Sequence, residues 1–432
     1  MWRRIAYLIT ATALLLFSCR SMPEIPGQDT AANTWIDPQN ARVLIVGVLT
    51  YADASLGNFD TYHRKDVELA DAFRAYGIPD DHITTLYDEN ATLENMQNAL
   101  MEIAAVSDAH TQFIFYFAGH GFNGYNANAD AIYFANSDIS ANHPSNSGFN
   151  IAYLSDVFIP AFHGDRMILM ADCCKSGGLV AVAESFAAQD KQAIALCSCF
   201  YTDWSTGNWT FTQKIIDGLS GDALMDADKN GNVDLGELKF GIAQGLKFID
   251  RQRPDFYSSV SDAVCVAFVG DPVLDLPDTS LRIGDYVFAK HLNNWVTVQI
   301  TGKENGKYTG RYYNYADYLP IQFLDSEWRK PYFVHYPAGS EIWLDNYKDK
   351  PGTVLDVDDD FMELQSDRNG EIQWCTYECV LHASQIPALI QNAQGNWLPG
   401  KVLESEGGMY YISYDDKQYA WDEWVPDFRV QF

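Results

Sequence analysis

Two apolar runs in this chain end in residues that do chemistry. Phe113–Ala118 (FIFYFA) leads into Gly119-His120-Gly121, and Met167–Ala171 (MILMA) leads into Asp172-Cys173-Cys174. An imidazole and a thiol brought together perform nucleophilic catalysis: the base takes the proton and the thiolate attacks. Glycines on both sides of the histidine let a substrate approach the backbone, and they leave the Gly121 N–H to stabilise an oxyanion. Paired thiols have other uses. A metal corner would need C-x2-C spacing and a second ligand cluster, neither of which follows, and a disulfide between neighbours would be strained. Strand alternation sends Cys173 and Cys174 to opposite faces, and it leaves open which of them meets the histidine.

A second cluster is DADKNGNVDLGE, residues 226–237. Oxygen-bearing side chains stand at loop positions 1, 3, 5, 9 and 12, with glycine at 6, which is the EF-hand calcium-loop pattern. Asp226, Asp228, Asn230, Asn232 (through its carbonyl), Asp234 and Glu237 are the expected ligands. A single loop implies a structural calcium that pins the helix expected from about 235 to 249. The dyad chemistry itself needs no cofactor. Gly119-x-Gly121-x-x-Gly124 also satisfies a dinucleotide-binding pattern, but FNGYNANAD after it is no helix start, so that match is chance.

These residues need elements to position them. VLIVGVLT (43–50), 83–87, 113–118, 167–171 and 193–199 read as strands, and 65–76, 93–105 and 151–162 show helical spacing. The alternation predicts an α/β fold with a mostly parallel sheet sandwiched by helices. Function in such sheets sits at the carboxyl ends of the strands, where both motifs fall.

Over residues 43 to about 275 the sequence resembles the caspase-like cysteine peptidases, which include metacaspases, legumains and gingipains. The resemblance is carried by Phe117-Ala118-Gly119-His120-Gly121 and Asp172-Cys173-Cys174-Lys175-Ser176-Gly177. The separation of 54 residues between His120 and Cys174 suits such dyads. The resemblance implies that His120 is the general base and Cys174 the nucleophile, with the N–H groups of Gly121 and Cys174 as the oxyanion hole. It further implies that Asp66 and Asp172 line the primary specificity pocket and select Arg or Lys; two buried acids there need a cation. Asp203, in the loop YTDWSTGNW, is a further pocket candidate. Ala118 and Lys175 depart from the metacaspase pattern, which has serine and histidine there. They keep open the reading of a catalytically silent scaffold.

The chain has 432 residues with 58 acidic and 29 basic side chains, a net charge of −29. Such a surface repels phosphate backbones and excludes a nucleic-acid partner. Residues 1–19 read as a signal peptide ending in Leu16-Phe17-Ser18-Cys19, a lipobox-like sequence. Cys19 is therefore expected to carry lipid, anchoring the protein to a membrane in the bacterial cell envelope, with 20–42 as a tether. Cys375 and Cys379 are spaced so that pairing is conceivable, but sequence does not establish it. Seven of the 11 tryptophans fall within 282–432. Three weakly similar units there, 282–330, 339–382 and 387–432, predict small β-barrels. The last resembles Tudor-like (SH3-like) barrels, and such units are expected to bind protein partners. The combined expectation is a lipid-anchored cysteine endopeptidase acting on peptides or proteins.

Overall fold

The computed structural model describes residues 35–124, 130–270 and 276, and 281–431 except 292–293, 315–316, 331–337, 340, 345–350, 359–360, 367–369, 371, 376–379, 383–385, 393–395, 407–408, 416–422 and 427–428. The signal peptide, Cys19, most of the tether and the Cys375–Cys379 pairing lie outside the described residues.

From its first described residues the chain forms β1 (Ala41–Gly47), α1 (Lys65–Tyr76), β2 (Ile83–Tyr87), α2 (Leu93–Val106) and β3 (Gln112–Ala118). Three short strands follow, β4 (Gly121–Asn123), β5 (Ile132–Phe134) and β6 (Phe149–Asn150), with α3 (Pro144–Ser147) before β6 and α4 (Ile159–Ala161) after it. Next come β7 (Arg166–Asp172), α5 (Gly178–Ala187), β8 (Gln192–Cys197), α6 (Thr210–Leu219) and β9 (Asn232–Asp234). The domain closes with α7 (Leu235–Gly245), β10 (Asp255–Ser258) and β11 (Cys265–Phe268).

Six strands make one sheet in the order β10-β8-β7-β3-β1-β2. Its pairings are parallel except for β10 against β8. Both faces are covered, which is why the central strands are apolar without alternation. Phe113, Phe115 and Phe117 point into one core with residues of α2 and α5, whereas Ile114, Tyr116 and Ala118 point into another with α1, α6 and α7. The helices start and stop where local chemistry dictates. The Thr92 hydroxyl accepts the Asn95 N–H at the start of α2, and α1 ends on Gly77 at a left-handed φ of 109°, a conformation open to glycine. Trp35 and Ile36, inside the expected tether, are buried in the second core. The ordered domain therefore begins before residue 42: a tryptophan and an isoleucine side by side gain more from burial than from solvation.

The C-terminal region is three antiparallel modules of five strands. The first comprises β12 (Tyr286–His291), β13 (Asn294–Glu304), β14 (Lys307–Asn314), β15 (Asp317–Leu324) and β16 (Trp328–Arg329). The second comprises β17 (Glu341–Leu344), β18 (Pro351–Asp358), β19 (Phe361–Ser366), β20 (Ile372–Cys375) and β21 (Val380–His382). The third comprises β22 (Ile386–Gln391), β23 (Trp397–Glu406), β24 (Met409–Tyr414), β25 (Glu423–Pro426) and β26 (Val430–Gln431). Each module pairs its strands in the same order, fourth-third-second-first-fifth. Each also breaks register at one place in its second strand, at Ile300/Gly302, Val354/Asp356 and Val402/Glu404. A shared strand order with a shared bulge marks the three as repeats of one unit. No helix among the described residues is long and apolar enough to cross a membrane.

Candidate active site

The register of the central sheet brings the two motifs together. β3 pairs in parallel with β7, and Ala118 stands opposite Asp172. His120 and Cys174 each lie two residues beyond that pair, so they leave the same edge of the sheet side by side. Both line one cavity of about 250 Å³, together with Leu49, Phe59, Asp172, Trp204 and Asn208.

The parity left open by sequence is resolved by the core. Met167, Leu169, Ala171 and Cys173 all face the same apolar cluster, and Cys173 is 2% exposed. Burial pushes its thiol well above the ordinary range. Cys174 projects the other way and is half-buried on the cavity wall. Its Sγ accepts the Ser205 N–H at 3.3 Å. Burial pushes the Cys174 thiol up, while the Ser205 N–H and the Lys175 charge pull it down. The thiol thus needs a base rather than ionising unaided.

The His120 ring is held from several sides. Its ring stacks on Tyr51 at 5.1 Å and tilts against Phe59 at 4.4 Å between centroids. Nε2 lies 3.1 Å from the Gly57 carbonyl. A carbonyl only accepts, so Nε2 carries the proton and Nδ1 is left as the basic nitrogen. The His120 N–H donates to the Tyr51 hydroxyl at 2.9 Å, fixing the backbone behind the ring. Gly121 sits one layer back, where an added Cβ would lie 1.9 Å from the Cys174 carbonyl oxygen. Only glycine allows the two motifs to approach this closely.

The expected specificity acids part company. Asp172 is on the cavity wall, with Oδ2 accepting the Thr212 hydroxyl at 2.7 Å. Burial, with a smaller contribution from the charge of Asp250, pushes it up to about 7, and Asp250 itself is pushed up by burial to about 6. Asp66 does not join it. Its carboxylate is fully buried and taken by Arg64, through Nε at 3.1 Å and Nη2 at 2.6 Å. The same guanidinium also binds Asp88. An arginine of this chain thus neutralises the acid expected to await a substrate. Asp203 is also off the wall: it is 3% exposed and accepts the Trp374 N–H at 2.8 Å. Lys175, at a φ of 63°, is buried and turned away from the sulfur. Its ammonium donates to the Thr202 carbonyl and lies 4.8 Å from the centre of the Trp204 ring.

Sequence reading passed over the Gly57 carbonyl and Ser205, because backbone groups carry no residue signature. It also passed over Asp250, an acid at the end of an apolar helix whose proximity to Asp172 only the fold creates.

Asp172 sets a pH dependence with a definite sign. It ionises near 4 when unfolded but only near 7 in the fold. Between those values the folded state holds a proton that the unfolded state has lost, so stability falls as pH rises through this window. The expected result is that Asp172→Asn matches wild type in urea at pH 4 and exceeds it increasingly up to pH 8. Parallel curves over that range would show that Asp172 is not the buried acid responsible.

The calcium-pattern loop forms a separate site. Oxygens of Asp226, Asp228 and Glu237 lie within 4.8 Å of one another. Asp226 also accepts the N–H groups of Asn230 at 3.1 Å and Gly231 at 2.9 Å. Gly231 takes the left-handed φ of 88° that the sharp turn requires. Asn230 accepts the Asn232 N–H, and Asp234 caps α7 in a capping box with Glu237. The donors are all oxygen, which suits a hard divalent cation.

A model of the caspase domain, a peptidase family, matches residues 41–261, which is 221 of the 432 residues. The chain belongs to the caspase-domain family. No curated protein matches the sequence. Among solved structures, a protein of Geobacter sulfurreducens is similar at 14% identity and a TM-score of 0.38, covering 54% of this chain and 100% of that one. Caspase-1 from Spodoptera frugiperda is similar at 12% identity and a TM-score of 0.33, covering 52% of this chain and 89% of that one.

Proposed function

We propose that the chain is a cysteine endopeptidase in which Cys174 is the nucleophile and His120 the general base. The observation that carries this reading is the parallel pairing of β3 with β7, which delivers both residues to one cavity. The Cys174 thiol gives its proton to His120 Nδ1 as Sγ bonds to the substrate carbonyl carbon. The N–H groups of Gly121 and Cys174 receive the oxyanion. The C–N bond then breaks as Nδ1 returns the proton to the leaving amine, and water hydrolyses the thioester.

Asp172 directs the cavity toward a basic side chain, because an arriving guanidinium or ammonium supplies the charge its carboxylate lacks. Asp250 behind it adds to the negative field. The test is a panel of fluorogenic peptides ending in Arg, Lys, Asn or Asp, offered to the full chain. Arg and Lys peptides should be cleaved at least about tenfold faster than the others, a ratio typical of one charge pairing in a partly buried site. Turnover of none of them would sink the peptidase reading, and a preference for Asp would sink the basic pocket.

Calcium belongs to the same reading as a structural ion, held by the side chains of Asp226, Asp228, Asn230, Asp234 and Glu237 and by the Asn232 carbonyl. It would fix the start of α7, and no catalytic step passes through it. At a free concentration a hundred times the dissociation constant it should stabilise the fold by about 2.7 kcal/mol. Calorimetric melts with calcium and with EDTA measure this. Glu237→Gln should remove most of the difference, and a melting point indifferent to calcium would dismiss the site.

The lipid anchor at Cys19, the place in the bacterial envelope and the binding of protein partners by the C-terminal modules complete the proposal. They rest on the sequence features described above. The silent-scaffold alternative drew on Ala118 and Lys175; the engagement of the Lys175 ammonium by Thr202 and Trp204 favours the active reading.

A further inference from the structure

The loop after β8 touches the candidate nucleophile at one end and the second module at the other. At the near end Ser205 N–H points at Cys174 Sγ, and Trp204 and Ser205 form part of the cavity wall. Trp204 is 50% exposed, and the stretch from 198 to 209 has no regular structure. Local bonds hold the Ser205 end: its hydroxyl meets Ser198 Oγ at 3.0 Å and accepts from Gln252 Nε2 at 3.1 Å, and the Thr206 N–H donates to Gln252 Oε1 at 2.8 Å.

The far end of the loop has a second anchorage, on the second module. Asp203 Oδ1 accepts the backbone N–H of Trp374, in β20, at 2.8 Å. The Arg253 guanidinium lies 4.1 Å from the centroid of Trp374 and 4.8 Å from that of Phe200. The cation thus meets both a ring of the module and a ring of the loop, whose centroids lie 6.5 Å apart with a tilt of 51°. The Asp203 carbonyl in turn accepts the Lys175 N–H at 3.0 Å, next to the nucleophile in sequence. The loop is clamped from both sides, and one of the clamps belongs to a different module.

We propose that Trp374 is a positioning residue: seated on Asp203, Arg253 and Phe200, it holds the 199–206 loop so that Ser205 N–H stays on Cys174 Sγ. The second module is then part of the catalytic apparatus rather than an appended binding unit. This rests on the reading of Cys174 as nucleophile. An amide donating to sulfur favours the thiolate, so releasing the loop makes the thiol harder to ionise.

The test measures alkylation of Cys174 by iodoacetamide between pH 6 and pH 10 on the full chain, followed by the mass of the peptide carrying Cys174. Cleavage of the best peptide is measured beside it. Trp374→Ala keeps the N–H for Asp203 but removes the ring from Arg253 and Phe200; the midpoint of its alkylation profile should rise by about half a unit to one unit, and kcat should fall about tenfold with a smaller change in KM. Trp374→Phe keeps a ring for Arg253 and should restore both. Arg253→Gln should reproduce the loss from the peptidase side, where a damaged module cannot be the cause. Wild-type alkylation profiles in both Trp374→Ala and Arg253→Gln overturn the proposal. If the wild-type chain cleaves nothing, the peptidase reading fails while the alkylation profiles still decide the clamp. Active wild type with unmoved profiles is the converse.

Discussion

Replacing Cys174 with alanine is expected to abolish peptide cleavage, with a loss of about 10⁴-fold or more, the scale on which nucleophile removal acts in paired catalytic residues. Replacing Cys173 with alanine leaves kcat within a few-fold. The contrast follows from which side of β7 each thiol occupies. Cys173 continues the series Met167, Leu169, Ala171 into the apolar core at 2% exposure, although it also borders the cavity. Its loss costs about 1 kcal/mol of stability, that of a small cavity, and is visible in a denaturant midpoint rather than in turnover. Cys174 opens onto the cavity with His120. The two variants are assayed side by side with the fluorogenic Arg peptide. Undiminished cleavage by Cys174→Ala would remove the nucleophile assignment, and loss confined to Cys173→Ala would transfer it to the neighbour.

The largest stability effect is expected away from the cavity, at Asp217→Ala. Lys214 is 1% exposed, and its ammonium lies 3.3 Å from Asp217 Oδ2. The same oxygen accepts the Tyr318 hydroxyl of the first module at 2.7 Å, and Gln213 donates to Oδ1 at 2.8 Å. Lys214 also reaches Gln299 of that module at 3.5 Å. Close by, Arg311 of β14 grips Asp222 with two bonds of 2.7 and 2.8 Å. Removing Asp217 leaves a buried cation without its countercharge, which costs about 3–5 kcal/mol. Because both halves of the interface lose partners, the denaturant midpoint followed by tryptophan fluorescence should fall and the coupling between the caspase domain and the first module should weaken. The double variant Lys214→Met/Asp217→Leu should recover most of the loss, since an apolar pair of similar volume needs no hydration. A cost under about 1 kcal/mol for Asp217→Ala would mean that solvent reaches this interface.

What the sequence disclosed, and what it did not, divides along physical lines. β3 and β7 were legible because strands covered on both faces must be apolar throughout, and their ends were legible because histidine and cysteine are rare in such places. Alternation showed that Cys173 and Cys174 part, and packing against α2 and α5 was needed to say which is core. Asp66 was misleading in the opposite sense. The family resemblance implied a waiting acid, but Arg64, two residues earlier, folds back onto it, a contact set by the turn into α1 and not by composition. Asp203 failed for a similar reason: a loop acid near the strand ends can face the cavity or the module, and Trp374 decides it from 171 residues away. Contacts between modules of this kind have no local signature. The calcium-pattern loop lies at the other extreme, since all its expected ligands fall within twelve consecutive positions.

The repeated modules carry one more implication. The second and third share a single apolar cluster, in which Val354, Met362 and Leu364 pack with Ile390, Val402 and Ile412. Copies that arise by duplication begin as interchangeable beads that can be gained, lost or shuffled without harm. Once two of them bury residues against each other, deleting either exposes the other's interior, and the pair is inherited together or not at all. With the first copy bonded to the catalytic domain and the second to its loop, the length of this array is no longer free to drift. Descendants of this gene should vary in the outward faces of the modules while keeping their number.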